Sequence, residues 1–231
     1  MPREICISDI HGCDDEFKRL LRLIGQIKED DMLILLGDYF DRGPDSYGVY
    51  QRLKRLKKRY GRRVVLLYGN HDDLFCDYCG LDALRHYDDD IFLQNRGGAT
   101  LRSFQWGEVE PREVATWIRR STSTMFETER AVYVHAGLYV GAATSDYQMI
   151  WMRDLTEAGH QPKLLIASHT PVPIRQCSQA PYHNSGCNYV IIDNGCAYGL
   201  GPLLAYDAVN NVAYYSDGRK RENALKLYQS G

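Results

Sequence analysis

Five short polar clusters in this sequence carry side chains suited to holding cations. They read Asp9-Ile10-His11-Gly12, Gly37-Asp38-Tyr39-Phe40-Asp41-Arg42-Gly43, Gly69-Asn70-His71-Asp72, His135-Ala136-Gly137 and Ser168-His169-Thr170. Carboxylate, imidazole and amide oxygen together suit divalent transition metals better than Ca²⁺ or a structural thiolate zinc site. Two adjacent ions need a shared ligand, and Asp38, at the end of the central predicted strand, is the natural one. Of seven histidines, His11, His71, His135 and His169 lie in these clusters, whereas His86, His160 and His183 fall in predicted loops or helix ends.

The elements around the clusters explain how distant residues meet. Glu4 to Ser8 reads as a strand, and Cys13 to Lys28 has helical apolar spacing through Phe17, Leu20, Leu21, Leu23, Ile24 and Ile27. Asp31 to Leu36 is a buried strand, Asp45 to Tyr60 an amphipathic helix and Arg63 to Tyr68 a third strand. This β-α-β-α-β opening predicts a parallel sheet with right-handed crossovers. Asp72 to Arg120 reads as helices and loops. Later strand candidates are Ala131 to His135, Leu164 to Ser168, Tyr189 to Asp193, Leu203 to Asp207 and Val212 to Ser216, the last two flanking an Asn210-Asn211 hairpin turn. Parallel units first and antiparallel strands later predict one α/β domain with mixed sheets. Each cluster sits at the carboxyl end of a strand, where open α/β sheets form their ligand crevice. Adjacent glycines (Gly12, Gly37, Gly43, Gly69, Gly137) let the backbone turn sharply there.

These five motifs, in this order from Asp9 to about Gly199, resemble the phosphoprotein phosphatase family of metallophosphoesterases, in its compact phage and bacterial branch. The resemblance implies a calcineurin-like fold: a four-layer α-β-β-α sandwich of mixed sheets, one catalytic domain over 1–231, with a dinuclear site at the strand ends. It implies that Asp9 and His11 bind the first metal, that Asp38 bridges, and that Asn70, His135 and His169 bind the second. Manganese is the first expectation for both ions, and iron or zinc suits the same donors. Arg42 then contacts phosphate, Asn70 also lies against substrate, and Trp151-Met152-Arg153-Asp154 makes Arg153 a second phosphate contact. Two such metals lower the pKa of a bridging water, and the hydroxide attacks phosphorus in line. His71 protonates the leaving oxygen, with Asp41 orienting its imidazole. Asp193-Asn194-Gly195-Cys196 resembles a late strand end near the site and receives no catalytic part.

The expected activity is hydrolysis of phosphomonoesters, first of all on phosphoserine and phosphothreonine in proteins, with dual specificity open. The alternative is a symmetrical dinucleoside polyphosphate (diadenosine tetraphosphate) hydrolase, which the stretch from Asp9 to Glu16 and Asn70-His71-Asp72 also resemble. Those hydrolases commonly lack an acid at the position of Asp41, which favours the phosphatase. A catalytically silent scaffold for phosphorylated partners is the reading from another class. Ser8, Asp72 and Ser168 stand where the family has glycine, glutamate and glycine.

Blander readings stand beside these. Asp41 and Arg42 can form a plain loop ion pair, and Arg153 can be a surface cation. The basic Arg52 to Arg63 stretch reads as a solvated helix face. Cys76-x-x-Cys79 with Cys177, Cys187 and His183 fits no standard zinc spacing, and whether these cysteines form any site stays open. Lys+Arg number 28 and Asp+Glu 30, giving a net charge of -2, so no bulk attraction for nucleic acid or anionic membrane is indicated. Apolar runs are strand-sized, the start lacks the regions of a secretory signal, and seven scattered cysteines read as reduced thiols. A cytoplasmic location follows as an expectation.

Overall fold

The computed structural model describes residues 2–88, 90–155, 159–173 and 180–225. Two mixed sheets face each other. The first contains β1 (Glu4–Ile7), β2 (Met32–Leu35), β3 (Val64–Leu66), β9 (Leu204–Asp207), β10 (Val212–Tyr215) and β11 (Lys220–Glu222), in the order β11-β10-β9-β1-β2-β3. The second contains β4 (Met125–Glu127), β5 (Ala131–Val134), β6 (Leu164–Ala167), β7 (Tyr182–Asn184) and β8 (Tyr189–Ile191), in the order β4-β5-β6-β8-β7.

The period of two along the central strands separates two cores. Ile5 and Ile7, Leu33 and Leu35, and Val64 and Leu66 turn to the helices. Cys6, Ile34, Leu36, Leu67 and Tyr206 turn to the second sheet, where Tyr133, Ile166 and Val190 meet them. Both faces are therefore covered, which is why these strands read as continuous apolar runs.

The helices α1 (Asp14–Ile24), α2 (Ser46–Tyr60), α3 (Asn70–Tyr78), α4 (Ile91–Gln94), α5 (Gly97–Trp106), α6 (Pro111–Ser121) and α7 (Asp146–Trp151) send their buried faces into the core on the first sheet's side. Asp14, Asp15 and Glu16 open α1 at the positive end of its dipole, and Gly25, at φ 75°, stops it short of the expected Lys28. Asp45 caps α2 by accepting from the Gly48 backbone N–H.

The parallel pairing of β1, β2 and β3 and the β9–β10 hairpin match the sequence expectation. Two expectations need correction. The second half is not simply antiparallel, since β5, β6 and β8 run parallel and each ends at the same rim as β1 to β3. The Gly69-Asn70-His71-Asp72 cluster is a helix start rather than a loop, because Asp72 accepts the Gly69 N–H and so caps α3. Among the described residues, no helix is long and apolar enough to cross a membrane.

Candidate metal centre at the strand ends

Donor atoms converge at the rim in two groups, His11–Asp38–His71 and Asp38–His135–His169, all lying within 4.8 Å of one another in each. Asp38 belongs to both. Its Oδ2 faces His11 Nε2 at 3.4 Å and its Oδ1 faces His135 Nε2 at 3.5 Å. Asp9 follows β1 and lies between the groups, 3.9 Å from His11 Nε2 and 3.9 Å from His135 Nδ1. Asn70 Oδ1 is 3.1 Å from His135 Nε2, and His169 Nδ1 is 3.2 Å from the same atom. All six expected ligands thus meet in one place. The expectation kept His71 apart for the leaving group, whereas here it also stands within the His11–Asp38 group.

Local backbone makes the meeting possible. His11, Asp38, Asp41, Arg42 and His169 all have φ between 46° and 69°, a conformation uncommon outside glycine and costly enough to mark a functional site. Gly69 is required for the approach of two loops: a Cβ there would sit 2.2 Å from Asp38 Oδ1.

The hydrogen bonds fix which imidazole nitrogens point inward. His11 Nδ1 is 2.7 Å from the Phe40 carbonyl and His135 Nδ1 is 2.7 Å from the Leu36 carbonyl. Each Nδ1–H is donated there, so each Nε2 lone pair is aimed at Asp38. The His135 Nε2 lone pair faces the Asp38 carboxylate, Arg42 donates to that of His11, and His169 Nε2 is buried without a hydrogen-bond partner among the described residues. A cation on each side of Asp38 satisfies this donor set, so the residues fit a pair of divalent ions.

Electrostatics point the same way. Burial pushes His11 and His169 well below the usual imidazole range, assisted by Arg42 at His11 and by His135 at His169. Both are therefore neutral near pH 7. Burial also pushes the Asp9 carboxyl up to about 6, against the pull of His135. Asp38 is held well below the carboxylate range in spite of its burial, by the histidines around it, His135 and His71 foremost.

The acid–base pair lies next to this cluster. His71 Nδ1 is 2.7 Å from Asp41 Oδ2, and both side chains are buried. Arg42 sits across the opening, hydrogen-bonded to His11 and, at 2.7 Å, to His71 Nε2. Its guanidinium stacks 4.8 Å from the centre of the Tyr198 ring. Asp38, Arg42, Asn70, His71, Arg153, His169 and Tyr198 line a common cavity of about 190 Å³. Arg153, exposed to solvent, also borders this cavity.

Four supporting residues escaped the sequence reading. Ser168 donates to Asp9 Oδ1 at 2.5 Å. Asp72 accepts from the backbone N–H groups of Asp38 and Gly69, each at 2.9 Å, and of Tyr39 at 3.2 Å. Both residues were visible only as departures from the family pattern. Thr100 donates to Asp41 Oδ1 at 2.8 Å, and Tyr198 backs Arg42. Neither belongs to a recognisable motif. The described cysteines contribute nothing to either donor group. Cys76 and Cys79 pack with the helices and Cys187 with the sheet-to-sheet core, while Cys177 lies outside the described residues.

Known proteins resemble the chain in sequence and in fold. A symmetrical bis(5'-nucleosyl)-tetraphosphatase of Acidovorax sp. strain JS42 is 49% identical over 67 residues, 29% of this chain and 22% of that protein. One from Wigglesworthia glossinidia brevipalpis is 27% identical over 134 residues, 57% of this chain and 43% of that protein. The chain thus spans less than half the length of these curated relatives. Among solved structures, the cold-active protein-tyrosine phosphatase of a psychrophilic Shewanella species superposes with a TM-score of 0.65 at 16% identity, covering 96% of this chain and 80% of that one. The shared fold extends across both sheets, and the sequence pattern of the calcineurin-like phosphoesterases runs from residue 3 to residue 210, through every donor named above. The chain is a member of the calcineurin-like phosphoesterase family.

Proposed function

We propose that the chain is a metal-dependent phosphohydrolase and that dinucleoside polyphosphates, cleaved symmetrically, are its first substrate class. The carrying observation is Asp38, whose two oxygens face two separate histidine groups. The names of the sequence relatives favour the dinucleotide over the phosphoprotein expected from Asp41. Divalent cations bound at the two groups, manganese first, supply Lewis acidity and an activated water.

The chain's own residues do the rest. Asp9, His11, Asn70, His135 and His169 hold the ions about Asp38. Arg42 and Arg153 present guanidinium forks to the phosphate oxygens, a geometry suited to charge that shifts during in-line displacement. Asn70, in the same wall, bounds the phosphate position. His71 protonates the leaving oxygen, and Asp41 fixes its tautomer and orientation. One lone pair serves one partner: while Arg42 donates to His71 Nε2, that nitrogen holds no proton. Arg42 therefore turns from His71 to the phosphate before His71 acts.

A second reading, hydrolysis of phosphomonoesters including phosphoproteins, is favoured by one observation. The buried Asp41–His71 pair is intact at 2.7 Å, and the tetraphosphatases that the sequence resembles commonly lack that acid. Manganese-loaded protein assayed on diadenosine tetraphosphate, a phosphopeptide and p-nitrophenyl phosphate separates the readings. Efficient release of ADP from the first supports the dinucleotide. Cleavage of the phosphopeptide alone reverses the order, and no hydrolysis of any ester supports a silent scaffold.

A further inference from the structure

A second concavity, of about 610 Å³, lies between α5 and the start of α2. Pro44, Asp45 and Tyr47 form one wall, and Arg102, Ser103 and Trp106 the other. Pro44 is two residues from Arg42, so at most about 7 Å of chain separates the groove from the phosphate-facing arginine. The groove also borders the helix that supports the Asp41–His71 pair, since α5 carries Thr100, which is bonded to Asp41.

Trp106 is the unusual residue here. It is 91% exposed, while the other large apolar side chains noted as exposed range from 36% to 50%. Ala99, Arg102 and Trp106 follow at spacings of three and four, so they share one face of α5. Thr100 and Phe104 are buried on the other face, which means that Trp106 is not needed by the core. The opposite wall is rigid. Asp45 Oδ1 accepts from the Gly48 N–H at 2.7 Å and from Ser103 Oγ at 3.4 Å, and Ser103 Oγ accepts from the Tyr47 N–H at 2.9 Å. Tyr47 packs against Gly107, where a Cβ would meet its ring at 2.4 Å. A free indole, a cation and a fixed carboxylate thus surround one space next to a phosphate site.

We infer that this groove seats one nucleoside of the substrate, with Trp106 stacking on the base, Arg102 facing the adjoining phosphate and Asp45 accepting from a base N–H. The inference rests on the dinucleotide reading above and names a subsite for it. An aromatic face accepts any base, whereas a cation on one wall and a carboxylate on the other set the direction in which the nucleotide lies.

The test compares ADP with inorganic pyrophosphate as probes of the full chain, by calorimetry and by tryptophan fluorescence. ADP is expected to bind more tightly than pyrophosphate and to quench the exposed indole. Trp106→Ala is expected to weaken ADP binding roughly 5- to 150-fold, the range of one base–aromatic stack, and Trp106→Phe to restore most of it. Arg102→Glu is expected to weaken ADP several-fold. Equal affinity of the unaltered chain for ADP and pyrophosphate overturns the inference, as does unchanged ADP binding by Trp106→Ala. The two failures are distinguishable. A chain that binds ADP through Trp106 but does not cleave diadenosine tetraphosphate sinks the substrate reading, whereas one that cleaves it with ADP binding indifferent to Trp106 sinks the groove.

Discussion

The two rims of the sheets are built on opposite rules. At the carboxyl ends, five non-glycine residues take left-handed backbone and imidazole lone pairs face carboxylates. At the amino ends, buried charge is matched donor for acceptor. Asp31 accepts from Arg3 through its backbone N–H at 2.9 Å, its Nε at 3.0 Å and its Nη2 at 2.6 Å. Glu4 accepts from Tyr133 at 2.8 Å and from Thr128 at 3.1 Å. The left-handed non-glycines just before strands at this rim are Asn188 and Asn211, a type that tolerates the conformation. One rim is satisfied within the chain and serves stability; the other is arranged for something the chain does not itself supply.

Substitutions on either side can break that contrast. Asp38→Asn is expected to act most strongly, lowering turnover on the order of 10⁴-fold or more and abolishing paired metal binding. Metal analysis that still finds two tightly held ions counts against the bridging role. His71→Asn is expected to lower kcat by about 10²- to 10⁴-fold with both ions retained. Loss of an ion with the imidazole would instead make His71 a ligand of the His11–Asp38 group.

Thr100→Val removes a buried hydrogen bond from Asp41 and leaves the metal ligands alone. Its expected effect is a fall in kcat of roughly 5- to 30-fold, the equivalent of about 1–2 kcal/mol, with little change in metal content. A variant that turns over at the original rate would show that Asp41 needs no such support.

Asp31→Asn sharpens the comparison from the other rim. Burial raises the Asp31 carboxyl, but the Arg3 bonds outweigh it and hold the group below its usual range. A carboxylate depressed in the folded state stabilises above its unfolded pKa, and that stability is lost as pH falls through the lower folded value. The variant is expected to lose about 1.5–3 kcal/mol at pH 7, to approach the parent in thermal melts progressively as pH falls from about 4 through the lower folded value, and to keep its kcat. Equal melting at pH 7 would mean that the amino-end rim is not the stabilising one.

Much of this was legible in the sequence because its signals are periodic or local. Alternation marked β1, β2 and β3, helical spacing marked α1 and α2, and Asn210-Asn211 marked the hairpin. The donors were legible because each follows an apolar run directly. What escaped depends on tertiary partners. β4, β7 and β11 are three-residue edge strands with no buried alternation, since β4 reads exposed–intermediate–exposed and β11 is exposed throughout. Thr100 and Tyr198 reach the site only because α5 and the turn after Gly195 fold onto it. Asp72 looked like a departure from the family motif, yet its carboxylate gathers three backbone N–H groups.

Asp38 and Asp72 also clasp each other's loops: the Asp72 carboxylate takes the Asp38 amide N–H, and the Asp38 carboxylate takes that of His71. The segment after β2 and the start of α3 are thus a single mechanical piece, although some thirty residues divide them. A chimaera that borrows one of these segments from a relative receives half a buckle, so the pair must be transplanted together for either to keep its shape.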